Sequence, residues 1–382
     1  MSNQPFLPYG RQWVDEADIA AVVEVLRGDF LTTGPAVGQF EQRLAAATGA
    51  SHAVACNSGT SALHMMYAAM GVGQGDEIIT SPLTFAATAN AAHYLGASVK
   101  FVDVTPDTGN LDPALIAAAV TPRTKLIVPV DFGGHPADYD AIHAVAAAHN
   151  LPVAADAAHS LGGSYHGRPV GTLATATEVS LHPVKPITTA EGGAVLTSDA
   201  GIAERAARFR THGITRDPAL LSSDEGPWFY EQIELGFNYR LTDVQAALGS
   251  SQLAKLGAFI ARRQAIAARY HEALADLTAV ELPTERAGVK SGWHLYALRV
   301  RDAARRRPLF ERLRELGLGV QVHYLPVYRH PWYRANGYAD VTCPNADDYY
   351  AREISLPVFP RMTDAEQDSA IERIRQAVTE LL

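Results

Sequence analysis

Short apolar runs alternate with longer alanine-rich stretches up to about residue 250 of the chain. The runs are nearly continuous in apolar residues, which is typical of β-strands buried on both faces. The stretches between them, such as SALHMMYAAMG and DYDAIHAVAAAHN, have the period of helices, and the second ends near Asn150 as a helix stop would. Strands alternating with helices predict an α/β sheet with helices on both sides. Seven strands are predicted, at residues 53–58, 77–82, 98–104, 125–130, 151–158, 178–183 and 193–198.

The pattern changes after about residue 250. A long helical stretch leads into a strand, a helix, a second strand and a closing helix near the C-terminus. The first four of these segments are VQAALGSSQLAKLGAFIARRQAIAARYHEALADL, WHLYALRV, PLFERLRELG and VQVHY. We therefore predict a large α/β domain with an N-terminal arm over residues 1–250 and a small α+β domain over residues 251–382.

Composition and charge narrow the kinds of partner. With 382 residues, of which 47% are hydrophobic and 19% charged, the chain can bury a large core. A net charge of -9 disfavours binding to nucleic acid or to an anionic membrane, both of which attract basic proteins. The sequence has neither a leader pattern at its N-terminus nor the ~20 consecutive apolar residues that span a bilayer. We expect a cytoplasmic protein that binds small molecules or copies of itself, with no nucleic-acid or membrane partner.

The cysteine content points the same way. Cys56 and Cys343 are too few and too far apart in sequence for a disulfide framework or a metal knuckle. They predict neither a disulfide nor a metal centre, and they fit a reducing compartment.

Lys185 differs from the four other lysines of the chain in its surroundings. It follows a strand of the buried type and lies between Pro183 and Pro186, just before a Thr-Thr and a Gly-Gly pair. A lysine held in apolar surroundings has a lowered pKa and a usable amine, which suits Schiff-base chemistry with an aldehyde cofactor. The alternative is a lysine that extends from a loop into solvent.

Pyridoxal phosphate needs a phosphate cradle, a carboxylate for its pyridinium nitrogen and a flat contact for its ring, and the sequence offers each. Strand AVACN runs into the SGTS segment 58–61 and a helical stretch, where backbone amides and hydroxyls can bind an anion. Asp156 ends a strand, at the edge where ligands of open α/β sheets bind, and Phe85 follows another strand. Each feature has a plainer explanation. The SGTS segment could be an ordinary helix cap, Asp156 a solvated residue at a strand end, and Phe85 a residue of the core.

Five segments together resemble a known family. They are SGTSAL, TFAATANA, DAAHSLG, SLHPVKPITTAEGG and GFNYRLTDVQAALG, and they resemble motifs of the DegT/DnrJ/EryC1/StrS aminotransferases. The resemblance extends from Tyr9 to beyond Phe359. It implies a pyridoxal phosphate-dependent transferase of fold type I, like aspartate aminotransferase, with a seven-stranded, mostly parallel sheet. It also implies nucleotide-linked keto-sugar substrates and a homodimer with shared active sites.

The resemblance assigns roles residue by residue. Lys185 would form the Schiff base with the cofactor and later carry the proton, and Asp156 would face the pyridinium nitrogen. Asn238 would reach the phosphate of the neighbouring subunit's cofactor, although it could also be a turn residue before a helix capped by Thr242 and Asp243. Five further residues would contact the cofactor: His159 beside the ring, Phe85 stacked on it, and Gly59, Thr60 and Ser180 at the phosphate.

Within the family, HPVKPITTxEGG with the downstream WFYE and LGFNYRLTD segments is most similar to the C4 aminotransferases of pseudaminic acid biosynthesis. This branch implies ping-pong transfer of the amino group of L-glutamate to UDP-2-acetamido-2,6-dideoxy-β-L-arabino-hex-4-ulose. Lys185 favours transamination, because members that deoxygenate sugars carry histidine at its position. Leu181 and Ala190 stand where phenylalanine and glycine are usual, and Leu181 could reshape the pocket wall.

Two alternatives stay open at this point. One is a C4 or C3 aminotransferase of another nucleotide-linked keto-sugar, either a D-sugar or a dTDP-sugar. The other is a protein of the same fold that binds the cofactor and regulates a partner. A nucleotide-binding oxidoreductase is disfavoured, because no GxGxxG follows the first strand.

The sugar-binding residues are predicted from the same resemblance. His182 could instead only orient Lys185, and the HYLP segment could be a strand end packed on the core. Arg240 and Arg329 are the candidates for the diphosphate. The substrate-lining residues are Tyr9, Thr32, Thr33, His182, His323 and Tyr324.

Overall fold

The computed structural model describes residues 5–381, and seven strands form its central layer. The strands are β1 (His52–Cys56), β2 (Glu77–Thr80), β3 (Ser98–Phe101), β4 (Thr124–Val128), β5 (Ala154–Asp156), β6 (Ser164–Tyr165), β7 (Arg168–Pro169), β8 (Ala176–Ser180), β9 (Gly193–Thr197), β10 (Ile214–Thr215), β11 (Glu231–Gln232), β12 (Val280–Glu281), β13 (Val289–Lys290), β14 (Tyr296–Val300) and β15 (Glu353–Leu356). In the central layer the order is β3-β2-β4-β5-β8-β9-β1.

Backbone bridges join the two halves of this layer. Parallel bridges pair Ile127 with Val153 and Val130 with Asp156, which places β4 beside β5. Of the seven strands, β9 runs antiparallel to both of its neighbours, and the remaining neighbouring strands are parallel. The predicted seven-stranded, mostly parallel sheet is therefore confirmed.

Helices cover both faces of the layer. Buried side chains of α3, α4 and α7 pack on one face, and those of α2, α5, α6 and α8 pack on the other. No helix within residues 5–381 has both the length and the apolar character needed to cross a bilayer. The helices are α1 (Glu16–Arg27), α2 (Pro35–Thr48), α3 (Gly59–Ala69), α4 (Ala87–Tyr94), α5 (Pro113–Ala119), α6 (Tyr139–Ala148), α7 (Ala200–Arg210), α8 (Asp243–Leu253), α9 (Leu256–Leu274), α10 (Arg306–Glu315), α11 (Pro331–Tyr333), α12 (Pro344–Arg352) and α13 (Asp364–Leu381).

Local sequence explains where the helices near the site begin and end. Ser58 caps α3, because its Oγ accepts the N–H of Ser61 at 3.1 Å. Asn150, just past α6, adopts a φ of 54°, as expected of a helix stop. The prediction of one continuous helix over VQAALG…LADL is wrong, since α8 ends at Leu253 and α9 begins at Leu256. The turn between them directs Lys255 toward α1.

The C-terminal third contains a separate three-stranded antiparallel sheet in the order β12-β14-β15, packed against α9, α10 and α13. The prediction of a strand at VQVHY is wrong, because this segment makes a single bridge, from Gln321 to Ser355. The third strand of the sheet is β15.

The N-terminal arm packs on this part of the chain. Leu7 is buried in the same cluster and exchanges backbone hydrogen bonds with Gly317 and Gly319. The domain boundary at residue 250 stays a prediction.

Asp18 ties α1 to the junction of α8 and α9. Its side chain is fully buried, and its Oδ2 accepts hydrogen bonds from Gln252 Nε2 at 2.7 Å and from Lys255 Nζ at 2.8 Å. The Asp15 N–H donates to the same oxygen at 3.0 Å. A buried carboxylate with these partners fixes the position of α1 on the large core.

Replacing Asp18 with alanine should lower the free energy of unfolding by about 2–3 kcal/mol, because Gln252 keeps only the Trp13 carbonyl oxygen as an acceptor and Lys255 loses its buried partner. Urea denaturation followed by circular dichroism measures the change. Glu24→Ala, on an exposed position of the same helix, is the control and should change it by less than about 0.5 kcal/mol. Equal effects of the two substitutions would contradict the role given to Asp18.

Candidate active site

The candidate site lies at the carboxyl ends of β5 and β8 and at the start of α3. Asp156 is the last residue of β5, Ser180 is the last residue of β8, and Lys185 follows in the loop before β9. The carboxyl edge of a mostly parallel sheet is where ligands of open α/β folds bind. The topology therefore brings together residues that lie far apart in sequence.

Asp156 is buried and is held by two donors. Thr88 Oγ1 donates to its Oδ2 at 2.6 Å, and the Ala158 N–H donates to its Oδ1 at 3.2 Å. Thr84 Oγ1 lies 2.7 Å from Thr88 Oγ1, so the threonine hydroxyls form a short chain that ends on the carboxylate. These bonds fix the direction of the Asp156 carboxyl group.

Lys185 lies in a loop that is held from several sides. Its own N–H donates to the His182 carbonyl oxygen at 2.9 Å, and the buried Arg263 reaches the Val184 carbonyl oxygen at 3.5 Å. Burial lowers the pKa of Lys185 to about 8, although the nearby carboxyl groups of Glu178 and Asp156 act in the opposite direction. A free amine is therefore accessible near neutral pH.

The start of α3 packs closely against β8 because Gly59 has no side chain. A Cβ at this position would lie 2.7 Å from Glu178 Oε1 and 3.0 Å from Ser180 Cβ, so a larger residue would push the start of the helix away from β8. Free backbone amides at a helix start, with the hydroxyls of Thr60 and Ser180 nearby in the sequence and the fold, form a suitable cradle for a phosphate.

Aromatic and imidazole rings line the other side of the site. The Gly133 N–H donates to His159 Nδ1 at 3.3 Å, so Nε2 carries the proton toward Tyr324 Oη at 3.2 Å. Burial lowers the pKa of His159 well below its usual range, and the charge of Lys185 adds to the effect. The ring of Phe85 is 63% exposed and lies 6.4 Å from that of Tyr324, which leaves its face open to a planar ligand.

His323 and Tyr9 extend this wall. The His323 N–H donates to Glu353 Oε2 at 2.7 Å, and its Nδ1 lies 2.8 Å from Ser355 Oγ. Its ring centroid is 5.7 Å from that of Tyr9 and 4.7 Å from that of Tyr324. Burial lowers the pKa of His323 to about 3, so the ring is neutral at physiological pH.

The remaining predicted residues lie apart from this cluster. Thr32 forms a backbone bridge with Thr242, and Thr33 beside it is exposed. Asn238 is exposed and its carbonyl oxygen is 3.5 Å from Asn57 Nδ2, close to the start of α3.

The predicted arginines and His182 also lie outside the cluster around Lys185. The backbone of Arg240 forms an antiparallel bridge with that of Cys56, and the Arg329 side chain forms an ion pair with Asp347 at 3.3 Å. His182 is exposed, and its carbonyl oxygen holds the Lys185 N–H. Their predicted contacts with the sugar and diphosphate stay predictions.

Sequence reasoning missed four residues of the site. Thr88 and Glu178 contact or face Asp156, Arg263 holds the lysine loop, and the His294 ring lies 4.4 Å from that of His159. A signal was present for Glu178, which is a lone carboxylate in the apolar strand ATEVS. Thr88 lay inside the motif TFAATANA, but nothing local marks it as a partner of Asp156.

The residues present fit pyridoxal phosphate. Lys185 offers an amine with a lowered pKa, Asp156 a carboxyl group held by hydrogen bonds, and the start of α3 the backbone amides of a helix N-terminus, which Gly59 brings close to Ser180. The residues that would hold the group are Gly59, Thr60, Phe85, Asp156, His159, Ser180 and Lys185, together with Asn238 if a second copy supplies it.

Comparisons with known proteins agree with this geometry. Residues 12–375 match the profile of the DegT/DnrJ/EryC1/StrS aminotransferase family. A relative from Bacillus subtilis, the spore coat polysaccharide biosynthesis protein SpsC, is 41% identical over 98% of this chain and 97% of its own.

Solved structures superpose over the whole chain. Helicobacter pylori PseC, an aminotransferase involved in the biosynthesis of pseudoaminic acid, gives a TM-score of 0.92 at 32% identity, with 98% of this chain and 100% of PseC covered. Streptococcus pneumoniae Spr1654, named as a sugar aminotransferase, gives a TM-score of 0.91 in its PLP form, at 30% identity over 99% of this chain and 100% of that chain. A PMP form of the same protein is also similar, with a TM-score of 0.92 at 30% identity over 98% of each chain.

The lowered pKa of Lys185 predicts the pH dependence of covalent attachment of pyridoxal phosphate. The amine reacts only when unprotonated, so the initial rate should rise about tenfold per pH unit below pH 8 and level off above it. Borohydride trapping followed by mass spectrometry of the labelled peptide measures the rate. Lys100→Ala, at an exposed lysine, is the control and should leave the profile unchanged, whereas a midpoint near the ordinary lysine pKa would contradict the role of burial.

Thr88→Val should weaken pyridoxal phosphate binding about tenfold, because Asp156 loses the donor that holds its Oδ2. Equilibrium binding to the apoenzyme, followed by absorbance, measures the affinity. Thr80→Val is a matched control, since Thr80 Oγ1 donates to the Val128 carbonyl oxygen in the same sheet and makes no contact with Asp156 in residues 5–381. If both variants bind the cofactor equally well, Thr88 does not hold Asp156 for the cofactor.

Proposed function

The chain belongs to the DegT/DnrJ/EryC1/StrS aminotransferase family, and from that premise we propose that it transfers the amino group of L-glutamate to C4 of a UDP-linked 4-keto-6-deoxy-N-acetylhexosamine. It is a sugar aminotransferase of fold type I, and its cofactor is pyridoxal phosphate. The finer assignment is carried by one observation, the likeness to PseC over the whole chain. The product would be the 4-amino sugar with the β-L configuration.

The chemistry of the proposed reaction divides between the cofactor and the protein. Pyridoxal phosphate, when bound, withdraws electrons from the carbon that loses a proton and carries the amino group from donor to acceptor. Lys185 supplies the amine that accepts and returns that proton, since burial lowers its pKa to about 8 and so brings its uncharged form within reach near neutral pH. Asp156, held by Thr88, offers its carboxylate to a ring N–H.

The walls of the site would bind and orient the sugar. Tyr9, His323 and Tyr324 present ring faces and hydrogen-bonding groups on one side. His323 is uncharged, so it can donate or accept a hydrogen bond without adding a positive charge beside Lys185. This arrangement suits an uncharged keto-sugar ring, with the diphosphate directed toward Arg240 or Arg329.

A homodimer with shared sites would explain the residues that lie apart from the centre. Phe30 and Leu31, next to Thr32 and Thr33, are exposed apolar residues. Trp228 and Leu235, in the segment before Asn238, are 71% and 79% exposed. Apolar patches of this kind are typical of association surfaces, and their occupation by a second copy would bring Thr32 and Asn238 to a neighbouring site. A cytoplasmic location also stays a prediction.

A second candidate is a C4 or C3 aminotransferase acting on another nucleotide-linked keto-sugar. The identity with SpsC, 41%, is higher than the 32% identity with PseC, and SpsC is named for spore coat polysaccharide biosynthesis. The two candidates share Lys185, Asp156 and the cofactor. They differ in the configuration of the ketone and in the nucleotide that the pocket accepts.

Incubation with L-glutamate, pyridoxal phosphate and the two C5-epimeric UDP-4-keto-6-deoxy-N-acetylhexosamines tests the substrate. Proton NMR of the amino product should show amination of the β-L-arabino ketone, and Lys185→Ala should abolish it while Lys100→Ala retains it. Reaction of the D-configured epimer alone, or of a dTDP-linked ketone alone, would support the second candidate. Turnover by Lys185→Ala at the wild-type rate would overturn the catalytic role of Lys185.

A further inference from the structure

Glu178 places a second carboxyl group beside Asp156. It lies on β8, in register with Asp156 on β5, and residues in register on neighbouring parallel strands project to the same face of the sheet. Glu178 is 0% exposed. Two carboxyl groups therefore share one buried layer at the floor of the site.

The hydrogen-bond donors around these two groups are unequally divided. Asp156 accepts from Thr88 Oγ1 and from the Ala158 N–H. Within residues 5–381, no N–H or hydroxyl group donates to Oε1 or Oε2 of Glu178. Two neighbouring buried carboxyl groups cannot both ionise at low cost, so a single proton belongs on the one without donors.

The surroundings of Glu178 also favour its uncharged form. Its Oε1 lies against Gly59, where α3 starts and a phosphate would bind, so a negative charge there would repel that anion. The titratable groups that face it are Asp156 on β5, Tyr67 on α3, Cys56 on β1 and Lys185 from the loop. Burial raises the pKa of Glu178 well above its usual range, and Asp156 adds to the rise while Lys185 opposes it.

We propose that Glu178 carries a proton at neutral pH and donates it in a hydrogen bond to Asp156, so that it acts as a positioning residue for the carboxylate that faces the cofactor ring. The shared proton leaves Asp156 as the single negative charge in this layer. It also keeps the floor of the phosphate cradle uncharged. Glu178 does not touch the reacting atoms, so its effect on the reaction passes through Asp156 and through cofactor binding.

Infrared difference spectroscopy at neutral pH tests the protonation directly. The wild-type minus Glu178→Gln spectrum of the apoenzyme should contain the carbonyl band of an un-ionised carboxylic acid, and the band should persist after pyridoxal phosphate is added. Glu77→Gln is the matched control, since Glu77 is also buried but pairs with Arg123 at 3.5 Å and accepts from Thr121 at 3.0 Å. Its difference spectrum should show only a carboxylate band. A carboxylate band for Glu178 would overturn the proposal.

Cofactor affinity tests the positioning role. Glu178→Gln keeps a neutral donor and should bind pyridoxal phosphate within about threefold of wild type, whereas Glu178→Val removes the donor and should bind about tenfold more weakly. Affinity is measured by absorbance titration of the apoenzyme, with folding checked by circular dichroism. Loss of affinity in Glu178→Gln as large as in Glu178→Val would refute the hydrogen bond. If Glu178→Val fails to fold, the Glu178→Gln affinity and the infrared band still decide the question.

Discussion

The backbone and side chain of Asp156 serve two parts of the molecule at once. Its N–H donates to the Pro129 carbonyl oxygen at 2.9 Å, and its own carbonyl oxygen accepts the Asp131 N–H at 3.0 Å. These bonds join the β3-β2-β4 half of the sheet to the β5-β8-β9-β1 half. Its carboxylate meanwhile accepts from Thr88 and faces the site. The same residue therefore joins the two halves of the sheet and provides the carboxyl group for the cofactor. A shift of β5 relative to β4 would displace the site.

Burial then controls how much charge the site contains. It keeps His159 and His323 neutral by lowering their pKa values, and it brings the pKa of Lys185 to about 8. The imidazole rings therefore act as hydrogen-bonding surfaces and not as competing cations. A partly protonated amine then remains beside the carboxyl group of Asp156, and this is the pair of groups that a phosphate-bearing, electron-withdrawing cofactor requires.

The sequence was sufficient to predict the strands of the central sheet, because strands buried on both faces have nearly continuous apolar residues. It was insufficient to predict β15. In that strand Glu353 and Ser355 alternate with Ile354 and Leu356, a pattern that does not indicate a strand buried on both faces. Those polar side chains are buried because they hold His323, a contact that no local pattern shows. The segment VQVHY has the composition of a strand, but in the folded chain it is an irregular segment that places His323 and Tyr324 in the wall of the site.

The same distinction applies to the site. Motif positions were sufficient to predict that Lys185 and Asp156 lie at the carboxyl edge of the sheet, because each ends or follows a strand whose apolar pattern is clear. Thr88 and Arg263 were not predictable in this way. Their roles depend on distances across the fold: Thr88 meets a residue 68 positions later in the chain, and Arg263 reaches a carbonyl oxygen 79 positions earlier.

The turn after Lys185 shows how hydrogen bonds compensate for a strained backbone conformation at Ala190. Ala190 has a φ of 68°, a left-handed conformation that costs a residue with a side chain about 1–2 kcal/mol. Hydrogen bonds offset this cost: Thr188 Oγ1 donates to the Leu181 carbonyl oxygen at 3.0 Å and accepts the Ala190 N–H at 2.9 Å. The Thr-Thr pair that follows the lysine loop therefore stabilises a turn in which glycine would be unstrained. Because the turn leads into β9, these hydroxyls fix one end of the loop that carries Lys185.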